Sequence, residues 1–200
     1  MKAIIFDFDG VICDSFEISY EISKEFFGDD FTEENLRELL DGNVFQNPKI
    51  TKQAAEKLFK AYNEKMKYFE MEKVVKENLE KLAEKYSLFV VSSNKEESIK
   101  TYFQNNNFAH IFKEILGAET HQSKVAKFEY LFEKYQLKAE DCVFVTDTLG
   151  DILEGKEVGV KVIAVDFGFH KRDRLEKGKP FKIVSSFDEI LEAVKDISIN

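Results

Sequence analysis

Two carboxylates, Asp7 and Asp9, stand two residues apart where the apolar run Ala3-Ile4-Ile5-Phe6 meets Gly10. In a continuing strand both side chains would share one face. Anions that close repel, and each raises the other's pKa. A divalent cation between them removes the conflict, and an oxygen-only donor set suits a hard ion, Mg²⁺ for preference. An Asp-rich turn open to water is the alternative. The residues at the ends of the other apolar runs shift the balance. Ser92, Ser93 and Asn94 come after Leu88–Val91, Thr146, Asp147 and Thr148 come after Cys142–Val145, and Asp151 lies four residues past Asp147. Ser123-Lys124 opens a helical pattern ahead of that last run. Singly, each has an ordinary reading. The serines could cap a helix, Lys124 could be solvated, and Asp147 with Asp151 could be favourable charge at a helix start. Together they assemble four carboxylates, hydroxyls and a lysine, without histidine, at the ends of apolar strands. Coincidence on that scale is a poor account of them.

The elements that must position these residues are strands alternating with helices. Short apolar runs at Ala3–Phe6, Leu88–Val91, Ile115-Leu116, Cys142–Val145, Val160–Val165 and Ile183-Val184 read as buried strands. Between them lie helical patterns such as Val75, Leu79, Leu82 and Tyr86, or Phe128, Leu131, Phe132 and Tyr135. That order predicts an α/β fold with a doubly wound parallel sheet, whose ligands bind outside the carboxyl ends of the strands. Asn94 with Glu97 three residues on resembles a capping box for the helix after the second long strand.

Residues 15–70 are different. Phe16, Tyr20, Ile22, Phe26 and Phe27 form a loose aromatic helix face that Gly28-Asp29-Asp30 interrupts. Thr32 reads as an N-cap, with Phe31 and Leu36 at the positions of a hydrophobic staple. Ala55, Leu58, Phe59, Tyr62, Met66 and Phe69 then mark a longer helix. The expectation is an all-helical insertion over 15–70 in a core made of 1–14 and 71–200.

Composition limits the partners. The chain has 200 residues, 44% hydrophobic and 34% charged, with a formal net charge of −9, which speaks against a nucleic-acid partner. Cys13 and Cys142 are far apart and lack metal-ligand spacing, so free thiols in a reducing, cytoplasmic setting are expected. The apolar start is too short for a signal peptide, and no run approaches a membrane span. A monomer or a homodimer is expected.

The motifs resemble those of the haloacid dehalogenase superfamily, in its subfamily with a helical cap after the first motif, which includes phosphoglycolate phosphatase and β-phosphoglucomutase. Asp7-Phe8-Asp9-Gly10-Val11 with Asp14-Ser15 is similar to the first motif. Val90-Val91-Ser92, followed by Ser93-Asn94, is similar to the second, with Ser93 as the alternative hydroxyl. Lys124 falls at the third, with Lys127 the second choice, and Thr146-Asp147-Thr148-Leu149-Gly150-Asp151 at the fourth. Val165–His170, Arg174-Leu175-Glu176 and Pro180 resemble the usual C-terminal run.

The resemblance implies a Mg²⁺-dependent phosphatase of a small phosphorylated metabolite. Asp7 would be the nucleophile that forms an aspartyl-phosphate, and Asp9 the general acid and then base. Asp7, Asp9 (through its carbonyl), Asp147 and Asp151 would form the metal site, and Ser92, Ser93 and Lys124 would hold the phosphoryl oxygens. Dehalogenases of the superfamily generally lack an aspartate at the second position, because halide leaves without a proton. A phosphomutase of the same fold and a silent phosphate-binding protein are the alternatives. A receiver domain, which also uses Asp, Mg²⁺ and Lys, would be shorter and would carry its acceptor on a later strand. Arg37, Asn43, Lys49 and Lys52 are the cap candidates for choosing the leaving group, and the three histidines have no partner nameable from the sequence.

Overall fold

The computed structural model describes residues 1–199, with side chains for all of these except Lys52, Ser198 and Ile199. The chain begins with β1 (Ala3–Phe6) and then runs through α1 (Phe16–Phe27), α2 (Glu33–Leu39) and α3 (Lys52–Met66). Strand–helix alternation comes next. It comprises α4 (Lys73–Ala83), β2 (Ser87–Val91), α5 (Glu96–Asn105), β3 (Phe112–Leu116), α6 (Lys124–Tyr135) and β4 (Cys142–Thr146). The chain finishes through α7 (Leu149–Glu157), β5 (Lys161–Val165), α8 (Arg172–Glu176), β6 (Lys182–Val184) and α9 (Phe187–Ile199).

All six strands pair in parallel, in the order β3-β2-β1-β4-β5-β6. The first strand is therefore central, and the strand order reverses beside it. Its residues alternate between two apolar layers, as the period of two requires. Ile4 and Phe6 pack with residues of α4, α5 and α9 on one face, while Ala3 and Ile5 pack with residues of α6 and α7 on the other. Phe6 stands opposite Val90 of β2 and Val145 of β4. The next residue on each of those three paths is one the chemistry needs, or its immediate neighbour. Among the described residues no helix is long and apolar enough to cross a membrane.

The helical stretch departs from expectation in one respect. The buried face of α1 is Ile18, Ile22 and Ser23, and Phe26 is 40% exposed. Phe26 and Phe27 instead pack edge to face, and Phe27 stacks on Phe31 at 4.9 Å. The aromatic pattern thus serves local ring packing, while the branched aliphatics take the core-facing stripe. The start of α2 agrees with the prediction. Thr32 accepts from the Asn35 amide N–H and donates its own N–H to Asn35 Oδ1, closing a reciprocal cap.

Candidate active site

Gly10 sets the turn out of β1. Its φ is +72°, and a Cβ there would stand 1.9 Å from Asp147 Oδ2. Only a glycine meets both demands. The turn is closed by Gly10 N–H donating to the Cys13 carbonyl and by the Ile12 and Cys13 amides donating to Phe8 O. It brings Asp7 and Asp9 over the carboxyl end of the sheet, and because β2 and β4 flank β1, Ser92 and Asp147 arrive beside them.

Lys124 is buried at the start of α6. Its Nζ lies 2.9 Å from Asp7 Oδ2 and 2.6 Å from Asp151 Oδ2. Asp151 Oδ2 also accepts from Thr146 Oγ1 at 2.7 Å, and its amide donates to Thr148 Oγ1. Asp7 Oδ1 accepts from the Phe8 amide at 2.7 Å. One ammonium thus serves two carboxylates, and the charges sort unequally. Burial opposes the charged form of Lys124, but Asp151 and Asp7 outweigh it and hold the lysine above its ordinary range. Burial likewise opposes the charge on Asp151, yet Lys124 keeps its carboxyl below the usual value. Burial pushes Asp7 well up, against the pull of Lys124 and with added repulsion from Asp151 and Asp147.

Asp147 is fully buried. Its Oδ2 accepts from the Phe169 amide at 2.7 Å, and its carbonyl accepts from the His170 amide. Its Oδ1 is buried with no hydrogen-bond partner. Burial is the main reason that its pKa is pushed up to about 8. An orphaned carboxylate oxygen beside other carboxylates is the feature a hard cation would relieve. Among the described residues no three His, Cys, Asp or Glu side chains already converge as a metal cluster. Asp151 is committed to Lys124 and Thr146, and the Asp9 side chain is committed elsewhere. The Asp7 and Asp147 carboxylates with a main-chain carbonyl would suit such an ion. That donor set is of oxygen alone.

Asp9 is held by three donors. Its Oδ1 accepts from Ser15 Oγ at 2.8 Å and from the Tyr62 hydroxyl, and its Oδ2 accepts from Asn94 Nδ2 at 3.2 Å. Burial raises its pKa, and these hydrogen bonds work against that. Asn94 therefore faces the site and makes no capping box. The residue before α5 is Lys95, and Asn94 Oδ1 accepts the Lys95 amide. Ser92 is buried, with Oγ accepting from the Asn94 amide at 3.0 Å, while Ser93 is half-buried and lines the same cavity.

Tyr62 and His170 are contributors that the sequence does not single out, while Lys127 and Arg37 stand there only as a second choice and a cap candidate. Along the chain Tyr62 reads only as part of an apolar face, although a buried tyrosine hydroxyl ordinarily finds a partner, which is the available signal. Lys127 is fully buried, donates to the Ser92 carbonyl, and is lowered to about 8 by burial and then by the charge of Lys124. His170 accepts the Leu149 amide at Nδ1, so Nε2 carries the proton and donates to Arg37 O at 2.9 Å. That link ties the end of α2 to α7. Arg37 itself donates from Nε to Phe169 O and lies 4.3 Å over the Phe16 ring.

A cavity of about 200 Å³ opens above these groups. Its floor holds Asp7, Asp9, Ser92, Lys124 and Asp147, and its walls come from α1, α2, α3 and the segment between α2 and α3.

A family model described as haloacid dehalogenase-like hydrolase matches residues 4–165. Among curated proteins, a phosphoglycolate phosphatase of Vibrio parahaemolyticus is 26% identical over 124 residues, 60% of this chain and 54% of that protein. The chain spans about half the length of the first curated relatives it matches. Two solved structures share the fold along their whole length. A haloacid dehalogenase-like family hydrolase of Streptococcus pneumoniae superposes with a TM-score of 0.79 at 22% identity, covering 97% of this chain and 98% of that one. A predicted phosphoglycolate phosphatase of Haemophilus somnus gives 0.77 at 24% identity, with the same coverage, 97% and 98%.

Proposed function

The chain belongs to the haloacid dehalogenase-like hydrolase family, and we propose that it is a Mg²⁺-dependent phosphatase acting on a small phosphate monoester through a phosphorylated aspartate. The observation that carries this reading is the Lys124 ammonium bonded to both Asp7 and Asp151 in a buried pocket at the strand ends. It fixes one carboxylate, Asp7, beside the only cation on the described cavity floor, where an incoming phosphoryl group would find its counter-charge.

In this mechanism Asp7 attacks phosphorus, the P–O bond to the alcohol breaks, and an acyl phosphate forms on the Asp7 carboxylate. Asp9 gives its proton to the departing alkoxide. Burial, which raises the Asp9 pKa, favours a carboxyl able to hold that proton near neutrality. Asp9 then takes a proton from the water that attacks the acyl phosphate, releasing inorganic phosphate and restoring Asp7. Ser92, Ser93 and Lys124 hold the phosphoryl oxygens. Asp7, Asp147 and the Asp9 carbonyl would hold Mg²⁺, with Asp151 steering Lys124 behind them, and the ion would neutralise charge and orient the phosphoryl group. An acid placed beside the nucleophile suits an alcohol leaving group and has no use for a halide.

Residues 15–70 act as a cap over a core of 1–14 and 71–200 in this proposal. Support comes from α1, α2 and α3 falling in that stretch and walling the cavity. The buried free thiols of Cys13 and Cys142 agree with a reducing, cytoplasmic setting. The test is phosphate release from monoesters with Mg²⁺ and with chelator, for the native chain and for Asp7→Asn. Metal-dependent release that Asp7→Asn abolishes is expected. Release that survives Asp7→Asn would overturn the nucleophile and the mechanism with it.

A further inference from the structure

The walls of the cavity differ sharply in character from its floor. The floor carries Asp7, Asp9, Asp147, Asp151 and Glu154, and among the described residues Lys124 is the one cation that lines the cavity. Lys124 is already shared between two carboxylates. Above it the surface is apolar: Ile22, Leu36, Leu39, Phe45, Leu58 and Phe59 all face the space. Phe45 and Phe59 stack at 6.2 Å, and with Leu58 they are only half-buried, so they keep apolar surface for a guest.

The polar groups on that side are few and mostly engaged. Asn43 Nδ2 donates to Gln122 O and to Glu154 Oε1, both at 3.1 Å, and the Tyr62 hydroxyl serves Asp9. Arg37 is turned away into its contacts with Phe169, Phe16 and Glu33. Ser19 and Ser23 are the remaining hydroxyls.

We infer that the alcohol released by this enzyme has an uncharged, largely apolar body, so that the substrate is an alkyl- or aryl-type phosphate monoester and not a phosphorylated carboxylic acid or a sugar phosphate. The inference rests on the phosphatase reading of the same site. A carboxylate on the leaving group would meet several floor carboxylates and, among the described residues, no wall cation, and it would lose its hydration without compensation. A polyol would bury hydroxyls against Leu and Phe side chains that cannot bond them, which a site penalises more heavily than a missing methylene. An aliphatic or aromatic body gains by covering the same surface.

The test is steady-state hydrolysis by the full chain with Mg²⁺ of ethyl, butyl and hexyl phosphate against phosphoglycolate and glucose 6-phosphate. The alkyl esters have leaving groups of similar reactivity, so the comparison reads the wall. Expected is a kcat/KM that rises roughly threefold to fourfold per added methylene until the cavity is full, with hexyl phosphate ahead of both polar esters. Phe59→Ala should flatten the alkyl series. A flat alkyl series in the native chain, or preference for phosphoglycolate or the sugar phosphate, overturns the inference and leaves the phosphatase reading standing. Calorimetric titration with ethyl-, butyl- and hexylphosphonate separates the other failure. Should no ester be hydrolysed, affinity climbing with chain length still supports an apolar guest while the phosphatase reading falls. Affinity independent of chain length overturns the inference as well.

Discussion

The hydroxyl of Tyr62, on α3, donates to Oδ1 of Asp9, on the turn after β1, across 53 residues of sequence. Ser15 and Asn94 complete the set of donors, so Asp9 is oriented by residues from three separate segments. Helix α3 therefore reaches the proposed acid itself and does more than wall the cavity. Donors of this kind stabilise the ionised carboxylate, and they oppose the burial that raises its pKa.

Removing one donor should act on protonation before it acts on folding. Tyr62→Phe is expected to let the Asp9 pKa rise further. The alkaline limb of kcat/KM against pH, where Asp9 loses the proton it must give, then moves to higher pH. The loss of a hydrogen bond to a charged group should lower kcat by roughly tenfold. A pH profile of both proteins decides it. An unmoved limb with a lowered melting temperature would assign Tyr62 a packing role only.

Lys124→Met should be costly twice over. It leaves Asp7 and Asp151 buried without their common cation, a loss of about 3–5 kcal/mol for a broken buried pair. It also removes the counter-charge for the phosphoryl group, expected to cost roughly 10²–10³ in rate. Urea denaturation and phosphate release on the same preparation measure the two effects. Activity within a few-fold of native would remove Lys124 from the mechanism.

Lys127 gives a signature in stability against pH. Its folded pKa is lowered to about 8 from 10.5, so above pH 8 the unfolded chain binds more protons than the folded one. Stability from this group is lowest below pH 8, where the buried charge is fully present, and rises with pH until the unfolded lysine also titrates. Lys127→Met lacks this slope. The native protein should gain up to roughly 3 kcal/mol relative to the variant between pH 7 and 10.5. Parallel urea midpoints across that range would contradict it. The Ser92 carbonyl loses its donor in the variant at every pH, which shifts the offset and not the slope.

Gly10→Ala tests the turn. A methyl group would have to displace the Asp147 carboxylate, from which it would stand 1.9 Å, at a positive φ that alanine disfavours. A shift of the supporting carboxylate by about 1 Å is expected to cost on the order of 10² in kcat, with backbone strain of about 1–3 kcal/mol in stability. Mg²⁺ titration of activity reads the displacement directly, as a higher metal requirement. An unchanged requirement would separate Gly10 from the proposed metal site.

Much of this architecture is legible along the chain because it depends on local rules. Apolar runs of four or five residues become strands buried on both faces, and Thr32 caps α2 through a side chain only three residues distant. Asp7, Ser92 and Asp147 can be picked out because each directly succeeds such a run or its last residue. The misleading signals are equally local. Asn94 has the spacing of a capping box, but its Oδ1 accepts the adjacent Lys95 amide and its Nδ2 donates to Asp9. Phe26 has helical spacing yet lies on the outer side of α1, where the branched residues Ile18 and Ile22 fit the core more closely.

Residue type and periodicity belong to short stretches of chain, and they suffice to name the residues able to do chemistry and to put them at strand ends. The placing of β1 between β2 and β4, which makes neighbours of residues more than eighty positions apart, belongs to the folded molecule. So do the seat of Lys124 between Asp7 and Asp151, the unpartnered Oδ1 of Asp147, and the apolar wall turned toward the site. Those outcomes depend on how a limited number of donors and cations is divided among buried acceptors. That division is made by packing in three dimensions, and no spacing along the chain encodes it.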